Sequence, residues 1–200
     1  LPNDYPDMPS SLMHIYLIEA GPRLLAGMSE ESSAHAEQFL REMGVNILLN
    51  KRVVDYRDHK VVLEDGTEIA TRTFIWVSGV TGVTIGNLDA SLIGRGGRIK
   101  VDSFNRVEGM NNVFAIGDQC IQLADENYPN GHPQLAQVAI QQGELLAKNL
   151  VRMEKGREMK PFHYRNLGSM ATVGRNRAVA EFSKVKMQGW FAWVMWLVVH

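Results

Sequence analysis

The run Asn112-Val113-Phe114-Ala115-Ile116-Gly117-Asp118 sets four apolar residues directly before a glycine and a lone carboxylate. Val113 to Ile116 suit a short strand covered on both faces, and ligands of open α/β sheets gather beyond the carboxyl ends of such strands. Gly117 carries no Cβ, so a pyrophosphate or sugar chain can approach its backbone. Asp118 is a short acceptor on a rigid support and suits ribityl or ribose hydroxyls. Taken alone, the pair reads as an ordinary Gly-Asp turn. Its setting tips the reading, with Val101-Asp102 and Arg106-Val107 before it and a long helix after it. On that helix Gln137 and Gln141 stand one turn apart and share a face, while Ala136, Ala139, Ile140 and Gly143 keep the adjoining surface small or apolar. Spacing alone favours amides that are solvated or that cap neighbouring loops.

The flanking sequence falls into strands and helices that hold these groups in place. Residues 1 to 12, with Pro2, Pro6 and Pro9, form an irregular lead-in, and His14 to Gly21 reads as a buried strand followed by a turn. Ser29 caps a helix running to about Met43, with Glu residues at its positive end and Ala34, Phe39, Leu40 and Met43 on one face. Short strands follow at Val45 to Leu49, Lys51 to Arg57, Lys60 to Leu63 and Glu68 to Ala70, with Asp65-Gly66 as a hairpin turn. Thr73 to Val77 returns as a buried strand. After a polar loop containing Asn127, Asn130 and Gly131, Pro133 opens a helix that continues through Leu150.

Composition narrows the classes. A formal net charge of −1, with no basic run, argues against nucleic acid as a partner. The single cysteine, Cys120, excludes an intrachain disulfide framework and any C-x-x-C pair, so no dithiol chemistry is expected within the chain. It also favours a reducing compartment. No metal site is expected. No signal peptide and no apolar stretch of about 18 residues is present.

Three segments beyond the Gly-Asp run carry a family resemblance. These are Ile75-Trp76-Val77-Ser78-Gly79-Val80, the helix Ala136-Gln137-Val138-Ala139-Ile140-Gln141-Gln142, and Tyr164-Arg165-Asn166-Leu167-Gly168-Ser169-Met170-Ala171-Thr172-Val173-Gly174-Arg175. With the hydrophobic run ending in Gly117-Asp118, they resemble the two-dinucleotide-binding-domain flavoproteins, and among these the type II NADH:quinone oxidoreductases. The resemblance implies an α/β fold, an FAD/NAD(P)-binding Rossmann-like two-domain flavoprotein, here partial. It implies residues 1–81 as the latter part of an NADH-binding domain and 82–155 as the second half of an FAD-binding domain. Residues 156–188 would be a small β segment packed on the FAD domain, and 189–200 the start of an apolar membrane-proximal helix.

The same resemblance assigns roles. FAD would lie against Gly117, Asp118, Gln134, Leu135 and Ala136, where the amides and positive end of the helix stabilise negative charge on the reduced flavin. NADH would lie against Glu19, whose carboxylate suits the adenosine ribose and repels a 2′-phosphate, and against the Ser78-Gly79 backbone. A quinone would meet Gln137 and Gln141. No residue of this segment is required as a catalytic acid or base. No G-x-G-x-x-G occurs, and Gly94-Arg95-Gly96-Gly97 reads as a loop. The chain is therefore expected to be the carboxyl-terminal portion of a longer protein, inactive by itself. That parent would be a peripheral, non-proton-pumping enzyme on the cytoplasmic face of the bacterial inner membrane, with a homodimer left open.

The last segment, Gly189 to His200, holds three tryptophans in seven residues and reads as a helix apolar on nearly every side. It is too short to span a bilayer, and it suits either burial in protein or a membrane surface, where Trp is favoured. Phe162 to Val173 and Ala178 to Phe182 read as strands joined by Gly174-Arg175-Asn176-Arg177, with both arginines solvent-facing or ion-paired. Two alternatives stay in view. One is an FAD-dependent disulfide or ferredoxin reductase of the same architecture; a sulfide:quinone oxidoreductase is disfavoured for want of redox cysteines. The other is a binding or assembly domain without cofactor.

Overall fold

The computed structural model describes residues 13–83, 85–182 and 185–199, so the expected lead-in over residues 1–12 lies outside the described residues. The chain divides into two units, the first drawn from Leu1–Trp76 and Leu167–His200 and the second from Val77–Asn166. The divisions at 76/77 and 166/167 differ from the expected ones at 81/82 and 155/156.

In the first unit, β1 (Ile15–Ile18) pairs in parallel with β2 (Val45–Leu48) across α1 (Glu30–Glu42), the βαβ order expected from the sequence. The ladder continues past both strands, Glu19 N donating to Leu48 O at 2.9 Å and Lys51 N to Glu19 O at 3.1 Å. β1 is not buried as expected: its first two residues are exposed and its last two half-buried. Ser29 is the N-cap of α1 and Met43 its C-cap, as the capping chemistry requires. The buried face differs from the expected apolar one. Ser32, Ser33 and Ala36 are buried while Ala34 and Met43 are exposed, because the serines are satisfied inside the unit, Ser33 Oγ donating to Leu24 O at 2.5 Å.

An antiparallel meander follows: β3 (Val53–Arg57), β4 (Lys60–Leu63) and β5 (Glu68–Ala70). Asp58 and His59 turn β3 into β4 with both φ angles positive, and Gly66 at φ 84° turns β4 into β5. Val61 and Leu63 point inward. Thr73 to Val77 does not form the expected buried strand. It has no regular structure, and Ile75, Trp76 and Val77 are 74%, 62% and 84% exposed. An apolar run becomes a strand only where a neighbouring ladder takes its backbone groups, and no described strand does so here.

The carboxyl-terminal part completes the first unit with a three-stranded antiparallel sheet. We number its strands β8 (Ser169–Thr172), β9 (Ala178–Phe182) and β10 (Val185–Gln188), with β9 in the centre. β8 and β9 form the expected hairpin, but 162–168 is not strand and β10 was not expected. α3 (Gly189–Val199) packs Ala192 against Ala178 and Ala180, all with no exposed surface. The alternate face of β9 meets α1: Glu181 accepts from Ser29 N at 2.9 Å and from Ser29 Oγ, and Arg177 pairs with Glu42. These strands thus pack on α1 within the first unit. No helix among the described residues is long and apolar enough to cross a membrane.

In the second unit, β6 (Ile99–Val101) and β7 (Cys120–Gln122) form a short parallel pair over a core of Ile99, Val101, Val107 and Cys120. Val113 to Ile116 makes a single bridge, Phe114 with Arg106, instead of the expected strand. α2 (Ala136–Glu154) starts three residues later than expected and ends four later. Its amides hold the chain that returns after it. Asn149 exchanges two hydrogen bonds with the Lys160 backbone at 2.8 and 2.9 Å, and Gln141 exchanges two with the Arg165 backbone at 2.9 and 3.0 Å.

Candidate functional site

Gly117, Asp118 and Gln119 form one 3-10 turn between Phe114 and β7. Gly117 adopts φ 64°, a left-handed conformation that favours glycine, and a Cβ there would lie 3.2 Å from Ala139 Cβ of α2. The turn is held from the helix side by Gln142, whose Oε1 accepts from Gly117 N at 2.7 Å. Gln142 is 1% exposed and also faces the Cys120 thiol at 3.7 Å. Gln134 Nε2 donates to Asp118 O at 3.2 Å, so the residue before the helix and the one after the glycine are tied together. The Asp118 carboxylate is exposed.

Leu135, extended and exposed, is the N-cap of α2 and offers no side-chain hydrogen bond. The positive end of α2 therefore begins at Ala136 without a cap from the Leu135 side chain. Gly117, Asp118, Gln134, Leu135 and Ala136 are thus brought together, with a tight backbone, an acceptor and a donor end in one place. This set could hold a ligand such as FAD, with hydroxyls on one part and, on another, a ring that gains negative charge on reduction. Gln137 is half-buried on the same face of α2 as Gln141. Gln141 spends its amide on the Arg165 backbone.

The residues expected at a nucleotide are divided between the two units. Glu19 ends β1, half-buried, with Oε1 accepting from Gly21 N at 2.7 Å in the first unit. Ser78 and Gly79 belong to the second unit, in the exposed stretch without regular structure, with Gly79 at φ 93°. Among the described residues no His, Cys, Asp and Glu group could hold a metal ion. Cys120 is 4% exposed, and burial pushes its thiol up, so it is a packed side chain and not a nucleophile.

Two features were not anticipated from sequence. Gln142 stands in the quoted helix motif, and its position one residue past Gln141 turns it toward Gly117. The other is a buried pair, His132 Nε2 with Asp125 Oδ2 at 3.0 Å, just before α2. Asn130-Gly131-His132-Pro133 signals a turn into a helix, but nothing local announces that the imidazole is buried.

The pyridine nucleotide-disulphide oxidoreductase family matches residues 10–143. The type II NADH:quinone oxidoreductase NdhA of Mycobacterium tuberculosis is 35% identical over 93% of this chain and 41% of its own length. The internal alternative NAD(P)H-ubiquinone oxidoreductase A1 of Arabidopsis thaliana mitochondria is 33% identical over 92% of this chain and 39% of its own. The chain thus spans about two fifths of the length of the curated relatives it matches. Among solved structures, NDH2 of Plasmodium falciparum in complex with NADH superposes with a TM-score of 0.85 at 19% identity, covering 99% of this chain and 56% of that one. The match over residues 10–143 spans most of the chain and includes both the β1-α1-β2 unit and the Gly117-Asp118 turn, and on it the chain belongs to the pyridine nucleotide-disulphide oxidoreductase family.

Proposed function

We propose that the protein oxidises NADH at a bound FAD and passes two electrons to a membrane quinone, without pumping protons. The balance is NADH, one proton and the quinone giving NAD⁺ and the quinol. The observation that carries the reading is the union of the Gly117-Asp118 turn with the Ala-Gln-x-Ala-x-Gln-Gln helix through Gln142. The similarity to type II NADH:quinone oxidoreductases over nearly the whole chain supports it.

Bound FAD supplies an acceptor for a hydride that can then release electrons to a second substrate. The chain's own residues orient. Gly117 keeps the backbone open to the ribityl and phosphate part, and Asp118 accepts from hydroxyls. The amide end of α2 at Leu135 and Ala136, braced by Gln134, favours negative charge in front of it. Glu19 accepts from an adenosine ribose and disfavours a 2′-phosphate, while the Ser78 and Gly79 backbone borders the nicotinamide. Gln137 donates to a quinone carbonyl. Gln141 supports it by fixing the Arg165 segment on the same face, since a direct quinone contact would first break that clip. α3 brings the enzyme to a membrane surface, on the cytoplasmic face of a bacterial inner membrane.

Replacing Gln137 by Ala tests the acceptor end. The apparent quinone KM is expected to rise, or flavin reoxidation to slow, with flavin content unchanged. Normal quinone kinetics would remove Gln137 from the site.

A further inference from the structure

Leu135, the N-cap of α2, supplies no side-chain hydrogen bond, so the chain that leads into the helix bears on the direction of its first turn. We propose that the buried Asp125–His132 pair is the positioning element for this helix end, closing the preceding loop and holding it beside the Gly117-Asp118 turn. Its consequence for the flavin rests on the reading above.

Both carboxylate oxygens of Asp125 are used within the loop. Oδ1 accepts from Asn127 N at 3.0 Å, and Oδ2 pairs with His132 Nε2 at 3.0 Å. Two backbone turns lie between them, Tyr128 N to Asp125 O at 2.9 Å and Gly131 N to Tyr128 O at 2.8 Å. The carboxylate therefore ties both ends of the loop. The hydrogen bond from His132 holds the Asp125 carboxyl below its ordinary value against the opposing effect of burial, and Asn127 adds to it. With Asp125 ionised, the shared proton sits on Nε2 and the imidazole donates.

The pair is anchored to the rest of the unit at three points. The imidazole packs among Tyr128, Phe162 and Tyr164, with ring centres 5.1, 5.2 and 5.8 Å away. Its main-chain carbonyl accepts from Arg98 Nη1 at 3.2 Å, and Arg98 leads directly into β6. At Gly131, a Cβ would lie 2.6 Å from Arg98 Nη2 and from Ile121 Cγ1, so the loop cannot shift toward β7. Two residues past His132, Gln134 reaches Asp118 O, and the helix begins two residues later. A break at Asp125–His132 thus frees the one segment that carries both the helix end and the brace to Asp118.

The test is amide hydrogen exchange in Asp125→Asn and His132→Phe, using the full chain. Losing one partner of a buried hydrogen bond to a carboxylate should speed exchange at Gly131, Val138 and Ala139 by about tenfold or more, with β6, β7 and the second half of α2 unchanged. Unchanged exchange at those three amides, or an equal rise everywhere, would overturn the proposal. If the variants do not fold, nitrogen NMR of the unmodified protein decides. A proton on His132 Nε2 is expected, and a neutral ring protonated on Nδ1 alone would overturn the proposal because Nε2 would then have nothing to donate to Asp125. FAD titration of the same samples separates the two readings. An unmodified protein made from its complete reading frame that takes up no FAD fails the flavin reading, while the exchange data still judge the positioning role.

Discussion

Gln142 Oε1 receives the Gly117 amide at 2.7 Å, so the turn bearing Asp118 and the helix bearing Gln137 are one hydrogen-bonded piece. Gln142 is buried, and no water can replace its amide without opening the core. Gln142→Leu keeps approximate volume but strands the Gly117 donor, at a cost of about 1–3 kcal/mol. Urea unfolding should show a lower midpoint at unchanged slope. An unaltered midpoint would mean that the bond contributes nothing net.

Gly117→Ala should cost more than the same change at Gly156. Both residues hold left-handed φ angles, 64° and 62°, so both incur about 1–2 kcal/mol for a Cβ. Only at Gly117 does the new methyl press on Ala139; nothing lies within 4 Å at Gly156. Equal midpoints for the two variants would show that α2 yields freely.

The contact between α1 and the carboxyl-terminal sheet should weaken in acid. Burial pushes the Glu181 carboxyl up, but hydrogen bonds from Ser29 and Ser32 outweigh it and leave it below the ordinary 4.5. The Arg177 hydrogen bond, helped by Gln38, lowers Glu42 as well. Both groups are depressed on folding, so their stabilisation is complete above pH 4.5 and is lost as pH falls through the folded values. Glu181→Gln should flatten the dependence of the unfolding midpoint on pH below 4.5. A slope identical to that of the unmodified protein would place the acid sensitivity elsewhere.

α3 should govern attachment to lipid. Phe191 and Val198 are 74% and 78% exposed on a helix with no polar face, while Ala192 seats it on β9. Burying one such side chain is worth about 1.5–3 kcal/mol, so Phe191→Ser should weaken binding to vesicles by roughly tenfold or more without unfolding the sheet. Equal co-sedimentation of both proteins would exclude this face.

What could be read from sequence was local. Ser29 before two glutamates, Asp65-Gly66 between alternating residues and the β1-α1-β2 order are each decided by neighbours a few positions away, and each stands in the structure. Gly117 and Asp118 read as the end of a strand open to a ligand, and the structure makes them a 3-10 turn with Gly117 at φ 64°. The failures were non-local. Thr73 to Val77 and Val113 to Ile116 have strand composition, yet a strand depends on a partner ladder that composition does not contain. Gln141 and Gln142 look equivalent in sequence, but one turns to Arg165 and the other to Gly117. The Asp125–His132 pair depends on an aromatic enclosure drawn in part from Phe162 and Tyr164, some 30 residues on.

The visible spectrum of the protein, purified from its complete reading frame and gel-filtered after exposure to FAD, decides whether the Gly117-Asp118 turn and α2 serve a flavin. A retained flavin band that NADH bleaches and quinone restores, and that is lost in Asp118→Ala, is the expected result. A colourless protein, or a bound flavin indifferent to NADH, would contradict the account.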